Sequence, residues 1–573
     1  MTARSLARRS TTAALAAAVL ALPACSRDNG GRDPDAPVAV TVLSATTGRT
    51  WDPQRIADPQ DLAVARQTFA RALTGHVRGS DGGTELVGDL ATDAGKASAD
   101  QRTWTFTLRS GVRWQDGSAV TCEDVRHGIA RSFMPALRGE GGTGYAAALL
   151  DLPRRADGST AYRGPHDTSA ASRAAQKDFD DAVRCSGQRL TMRLVQPEAD
   201  WGEIVGLPEF GPVKASRDPG AGADLAPFSS GPYRLEGTWS ERAGGTWVRN
   251  RFWSAGTDPV RQAVPDRIAL TAATQPEAAF RRVLGEEEDT PVVSAIPAPP
   301  ALDQQVDQAD GWTGHATTLD SSTTDYLALT VARGPLRSPQ VRQALALATS
   351  RAAYLAAVGG DGQAAAVPSL LTAGQREPSS GSPVTAAGDP GAAKALLAKA
   401  HVSTPVRLVA AYRAGTTTGK GMAALRGAWL RAGFDVRLQA VDEDYFTRIS
   451  APDATGRFDL FWARWAPDYP APSSVLPPLL DSSVNLDDTG TGRDYGRYAS
   501  AAVNRRMREI PTVADPRQRA REWAQLDRQL LDDGAYVPLV RLRWTYLSTA
   551  PVTGVAGEAG GTGYLDLGRL GAH

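Results

Sequence analysis

The segment Phe461-Trp462-Ala463-Arg464-Trp465-Ala466-Pro467-Asp468-Tyr469-Pro470 concentrates the side chains best suited to holding a small molecule. Trp462, Trp465 and Tyr469 supply aromatic faces, Arg464 a cation and Asp468 an anion. The segment follows the strand-like run from Phe458 to Phe461, and its prolines interrupt regular structure, so a rigid scaffold would present these groups from a loop. A carboxylate taken out of water needs a cationic or strongly donating partner. Two readings stay open on the residues alone. Asp468 meets a ligand, or it caps a turn before Tyr469-Pro470 while Trp462 and Trp465 sit in a core. Arg464 meets a ligand carboxylate or, the reading we favour, an internal acid.

Other chemistries lack their usual parts. There is no Gly-x-Ser-x-Gly and no His-Glu-x-x-His, and the six histidines, His76, His127, His166, His315, His401 and His573, are scattered. Serine-esterase and zinc-peptidase activities are therefore disfavoured. The acidic runs Glu123-Asp124, Asp180-Asp181 and Glu286 to Asp289 could serve a glycosidase, but adjacent acids more commonly lie on solvated helix starts or loops. Few histidines and methionines argue against a metal cargo. No catalytic residue, cofactor or metal site is expected.

Positive and negative residues balance at 63 each, which removes the basic field that nonspecific nucleic-acid binding requires. Arg4, Arg8 and Arg9 precede an apolar stretch from Ala13 to Leu22 that is too short to span a bilayer, so residues 1–25 read as a secretory signal peptide. Leu22-Pro23-Ala24-Cys25 resembles the lipobox of bacterial lipoproteins, in which the cysteine receives lipid and becomes the new amino terminus. Residues 26–37 then form a polar tether. Arg8-Arg9 leaves the export route open between general and twin-arginine secretion. In an exported chain the other two cysteines, Cys122 and Cys185, most simply pair as a disulfide.

The remainder is too long for one core, and about two to four domains are expected from size. Val38 to Leu43 reads as a buried strand and Leu62 to Leu73 as a helix. Thr103 to Arg109 and Arg189 to Val195 alternate with period two, as half-buried strands do. Thr121-Cys122-Glu123-Asp124 has the composition of a helix start. The proline-rich stretch from Pro291 to Gln308 suits a crossing between lobes. Pro339 to Ala357 reads as one helix, and Thr372 to Asp389 as a long loop. From Pro390, helix, strand, helix and strand alternate, which points to a parallel or mixed sheet covered by helices. Pro516 to Asp532 is helical and Val537 to Leu547 returns as a strand.

Five segments in order resemble the family-5 extracellular solute-binding proteins of ABC importers, the dipeptide- and oligopeptide-binding group. Thr103 to Ser118 (Thr-Trp-Thr-Phe-Thr-Leu-Arg-Ser-Gly-Val-Arg-Trp-Gln-Asp-Gly-Ser) precedes Glu123-Asp124-Val125 and Arg131. Gly231-Pro232-Tyr233 is followed by Arg249-Asn250 and Trp253. Then come Tyr326 to Leu329 with Val341 to Ala344, Asp389-Pro390 with Ala393 to Leu397, and Trp465 with Asp468-Tyr469. Thr330, Ser350 and Cys122 depart from the family's usual residues, and the last supports a subgroup disulfide.

The resemblance implies an α/β, two-lobed periplasmic-binding-protein-like fold with mixed sheets, hinge closure and an additional subdomain in the first lobe. It divides the chain into a first lobe at 38–310, an inserted subdomain near 78–212, a second lobe at 311–540, and a return to the first lobe at 541–573. It also implies a non-enzymatic, monomeric binding protein. This protein would be lipid-anchored outside the cell and would pass a peptide to ABC permease subunits with their ATPase. Alternatives are another solute (a nickel chelate, haem, opine or sugar), a secreted hydrolase, or a sensory lipoprotein. In relatives the aspartate matching Asp468 holds the peptide's α-ammonium. The expected ligand contacts are Asp468, Trp465, Tyr469, Trp462, Arg464 and Tyr326, with backbone partners sought at Ser44 to Thr47, at Tyr326 to Thr330 and in the Trp462 loop.

Overall fold

The computed structural model describes residues 37–573 apart from 46–47, 57, 81–82, 139–143, 157, 223, 272–274, 286–289, 300–311, 373–374, 376–384, 443 and 488–489. The leader, Cys25 and the tether up to residue 36 lie outside the described residues, as do most of the loop before Asp389 and the acidic run 286–289. Among the described residues, no helix is long and apolar enough to cross a membrane.

A mixed sheet of eleven strands runs through both lobes. At one end, Phe434–Val441, Val406–Arg413 and Leu460–Trp465 run parallel to one another. At the other, Ala39–Leu43 pairs in parallel with Arg267–Thr271 and Val292–Ser294, and the hairpin Tyr233–Ser240 and Gly244–Arg249 completes the edge. The junction is a pair of long antiparallel strands, His315–Leu329 and Tyr536–Ser548, paired from His315 opposite Ser548 to Ala328 opposite Tyr536. Their ladder slips between Asp320 and Thr324 and again between Asp325 and Tyr326. Such irregularities bend and twist a ladder locally, so the two ends of the sheet can differ in orientation. Residues 540 and 541, where a lobe boundary was expected, fall inside Tyr536–Ser548. The segment from Pro291 includes the buried strand Val292–Ser294.

The apolar cores follow this plan. One cluster fills the second lobe around Trp429, Leu460 and Val537. Another fills the first lobe around Val42, Trp247 and Tyr546. A third lies in the subdomain, beneath a separate sheet formed by Lys96–Ala97, Thr103–Thr107, Arg189–Arg193 and Val183–Ser186. Trp104 and Phe106 point into it on alternate positions of their strand, as period two requires.

Local chemistry explains several helix starts. Thr121 and Asp124 form a reciprocal capping box for the helix Cys122–Arg131. Asp389 caps Pro390–Lys399 and Asp515 caps Pro516–Asp532, each with proline at the first helical position. The helix expected from Pro339 to Ala357 is two helices, Pro339–Ala348 and Arg351–Val358. Ser350 adopts extended backbone and its hydroxyl accepts the Ala353 N–H, starting a new helix where apolar periodicity alone suggested continuation. Cys122 and Cys185 are joined by a disulfide that ties this subdomain helix to the strand Val183–Ser186.

Candidate functional site

The strand Leu460–Trp465 lies between Val406–Arg413 and His315–Leu329, with Trp462 opposite Leu327 and Arg464 opposite Asp325. Pro467 and Pro470 follow and cannot donate to a ladder, so the chain leaves the sheet as a loop. This loop crosses to the subdomain, and Tyr469 and Ala471 belong to the subdomain's apolar core. Ser473 Oγ donates to Asp200 Oδ2 at 2.6 Å, and Arg519 Nε of the second lobe lies 3.2 Å from Asp200 Oδ1. Asp200 thus joins the two bodies with its carboxylate buried.

Beside this crossing lies a cavity of about 790 Å³, within the range of small-molecule sites. The strand Thr74–Arg78 contributes His76 and Arg78, the subdomain Glu203, the first lobe Arg261 and Glu558, the junction strands Ser321, Ser322 and Arg541, and the loop Pro467 to Pro470. Many of the charged groups are already paired. His76 Nε2 lies 2.7 Å from Glu203 Oε2, Arg66 Nη2 3.0 Å from Glu558 Oε1, Arg543 Nε 2.7 Å from Asp320 Oδ1, and Arg261 Nη2 2.8 Å from Asp89 Oδ2. Arg541 donates to the Leu370 and Leu371 carbonyls.

Asp468 differs from these paired acids. Its Oδ2 accepts a hydrogen bond of 2.8 Å from the Tyr145 hydroxyl, a neutral donor. Burial pushes its carboxyl above the ordinary range, while the Tyr145 bond and the charge of Arg493 act in the opposite direction. Tyr145 also meets Tyr469 edge-on, with ring centroids 5.7 Å apart. The site therefore presents a half-buried carboxylate, hydrogen-bonded to Tyr145, on the wall of a large cleft. That arrangement suits an ammonium group, which brings both charge and several donors.

Of the six expected contacts, Asp468 and Tyr469 line this cavity, and four lie elsewhere. Trp462 is buried at 2% exposure, and its Nε1 donates to Tyr354 Oη at 2.9 Å. Tyr354 Oη in turn donates to Asp325 Oδ2 at 2.9 Å, and Arg464 Nε donates to Asp325 Oδ1 at 2.7 Å. The Arg464 guanidinium also covers the Trp462 ring at 5.3 Å. Arg464 therefore serves an internal acid. Tyr326 is buried in the same core, edge-on to Tyr536. Trp465 donates Nε1 to the Ser474 carbonyl at 3.0 Å and is covered by Arg493 at 4.7 Å, so it shapes the loop. The backbone from Tyr326 to Leu329 is engaged in the ladder, and Ser44 is buried with its N–H on the Thr271 carbonyl. Residues 46–47 lie outside the described residues. Sequence reasoning missed Tyr145, whose only local signal is a lone tyrosine after the glycine-rich run Gly141-Gly142-Thr143-Gly144.

Comparison with known proteins agrees with this architecture. The chain is 23% identical to the probable D,D-dipeptide-binding periplasmic protein DdpA of Escherichia coli K12, over 90% of each chain. It is 22% identical to the periplasmic murein peptide-binding protein MppA of the same organism, over 85% of this chain and 84% of that one. Among solved structures, the clavulanic acid biosynthesis oligopeptide binding protein 2 superposes with a TM-score of 0.79 at 24% identity, covering 94% of this chain and 96% of that chain. The family model described as bacterial extracellular solute-binding proteins, family 5 Middle, matches residues 85–487. With that match across most of its length and a two-lobed mixed α/β fold around a large cleft, the chain belongs to the family-5 bacterial extracellular solute-binding proteins.

Proposed function

We propose that this protein captures short peptides outside the cell and hands them to an ABC importer, anchored to the membrane by lipid on Cys25. The observation that carries the reading is Asp468, a carboxylate on the cleft wall whose hydrogen-bond donor is the neutral Tyr145 hydroxyl. A peptide α-ammonium supplies the missing charge. The relatives named for binding dipeptides, murein peptides and oligopeptides support a peptide over other solutes. Tyr469 bounds the ammonium subsite, and the polar walls leave room for water around variable side chains.

Capture proceeds without covalent change. The two lobes share the strands His315–Leu329 and Tyr536–Ser548, and the ladder irregularity beside Ser321 and Ser322 lies on the cleft. A ligand that touches both lobes favours the closed arrangement because only there does it make both sets of contacts. The closed form then docks on permease subunits whose ATPase drives uptake.

The test is mass spectrometry of molecules released from the purified protein, followed by calorimetry with short peptides bearing free or acetylated amino termini. Peptides recovered from the protein, and a large loss of affinity on acetylation, are the expected results. Unchanged affinity after acetylation would remove Asp468 from the ammonium role.

A further inference from the structure

Three side chains far apart in sequence converge at the junction of the subdomain and the first lobe. His127 Nε2 and His166 Nε2 each lie 2.7 Å from the same oxygen, Asp218 Oδ2. All three candidate donor atoms fall within 4.8 Å of one another. The convergence is built into the backbone. Gly128 lets the helix Cys122–Arg131 approach the Gly211 carbonyl so closely that a Cβ there would lie 2.1 Å from its oxygen, and the Val213 N–H donates to the Asp124 carbonyl. The chain leading to Asp218 is thereby held along the face that carries His127.

The carboxylate is also oriented from behind. Asp218 Oδ1 accepts the Gly220 N–H at 2.8 Å and lies 2.8 Å from Arg131 Nε, which leaves Oδ2 turned toward the two imidazoles. Metal-binding carboxylates are commonly positioned by such secondary hydrogen bonds. Charge favours a cation here. Arg131 also pairs with Asp52 at 2.6 Å, so one buried guanidinium serves two buried carboxylates and one negative charge remains.

We propose that His127 Nε2, His166 Nε2 and Asp218 Oδ2 bind one divalent transition-metal ion of the zinc type, at a site separate from the solute cleft. Two imidazoles and one carboxylate select such an ion over magnesium or calcium, which prefer all-oxygen shells. Three protein ligands leave a fourth position, and His166 is 46% exposed, so water reaches it. Zinc takes such donors at about 2.0–2.2 Å. The ion ties the helix bearing His127 to two loops that otherwise meet through hydrogen bonds and the Arg131–Asp218 pair.

The experiment uses untagged full-length protein stripped with chelator, then dialysed against Zn²⁺ with metal analysis of the retained fraction. One equivalent is expected. His166→Gln should weaken retention at least tenfold, and His127→Gln combined with His166→Gln should abolish it while peptide binding in the cleft persists. Absence of an equimolar ion on the wild type, or equal retention by the double variant, overturns the site. Where the double variant does not fold, Co²⁺ absorption of the wild type decides. A low-symmetry nitrogen–oxygen spectrum supports the site, and the spectrum of the hydrated ion refutes it.

Discussion

Tyr145 and Asp468, from the subdomain and the second lobe, meet at the cleft wall that Asp468 lines, with the tyrosine hydroxyl donating to the carboxylate across 2.8 Å. Charge-assisted hydrogen bonds contribute about 1.5–3 kcal/mol. Asp468→Asn should therefore weaken binding of peptides with free amino termini by roughly 10- to 150-fold and leave acetylated peptides nearly unaffected. Calorimetry with the two peptide forms checks this.

Binding of an ammonium requires Asp468 to be anionic. Its carboxyl is raised by burial, so affinity should begin to fall at a higher pH than for an ordinary carboxylate. Tyr145→Phe removes a bond that opposes the rise. Its affinity should therefore decline from a still higher pH, which titrations across the acidic range would detect. An identical profile for wild type and variant would contradict the coupling.

Asp494 reports on the second lobe. Burial pushes its carboxyl up to about 7, even though it accepts backbone N–H bonds, and its Oδ2 has no hydrogen-bond partner among the described residues. With the folded value above the unfolded one, the native state holds the extra proton between about 3.8 and about 7. Stability from this group falls as pH rises through that window and is lowest above it. Asp494→Asn should flatten the slope, by at most about 1.4 kcal/mol per pH unit. Urea unfolding of both proteins at a series of pH values measures the difference.

The disulfide closes a loop between residues 63 apart in sequence. Chain entropy alone assigns such a crosslink about 4 kcal/mol, as an upper value. Cys122→Ala with Cys185→Ala should lower subdomain stability by a few kcal/mol and raise protease sensitivity there before it affects the second lobe. Limited proteolysis with peptide mapping distinguishes this from uniform unfolding.

Arg464→Leu separates an internal role from a ligand role. Removing the guanidinium strands the buried Asp325 carboxylate with only its Tyr354 donor. Fully buried pairs cost about 3–5 kcal/mol to break, and the Arg464 side chain is 42% exposed, so about 2 kcal/mol is expected. Thermal unfolding should show that loss while peptide affinity changes little. A large affinity loss at unchanged stability would return Arg464 to the ligand.

The sequence by itself determined what depends on neighbours along the chain. Thr121 and Asp124 announce a helix start, Asp389-Pro390 and Asp515-Pro516 two more, and period two marks the strand Thr103–Thr107. Aromatic, acidic and proline residues likewise marked the loop that crosses to the cleft. The break at Ser350 was hidden, because a capping hydroxyl inside an apolar repeat reads as one more exposed position. Only the tertiary structure decided which side chains of that loop turn toward the cavity. Trp462 and Tyr469 look alike in sequence, yet a strand pairing with Leu327 buries the first beside Tyr354, and the turn after Pro467 carries the second to Tyr145. The same holds for His127, His166 and Asp218, which lie 91 and 52 residues from their meeting point on Asp218. Spacing along a chain encodes contacts within a turn or a strand pair, whereas convergence over such distances arises from how whole elements pack.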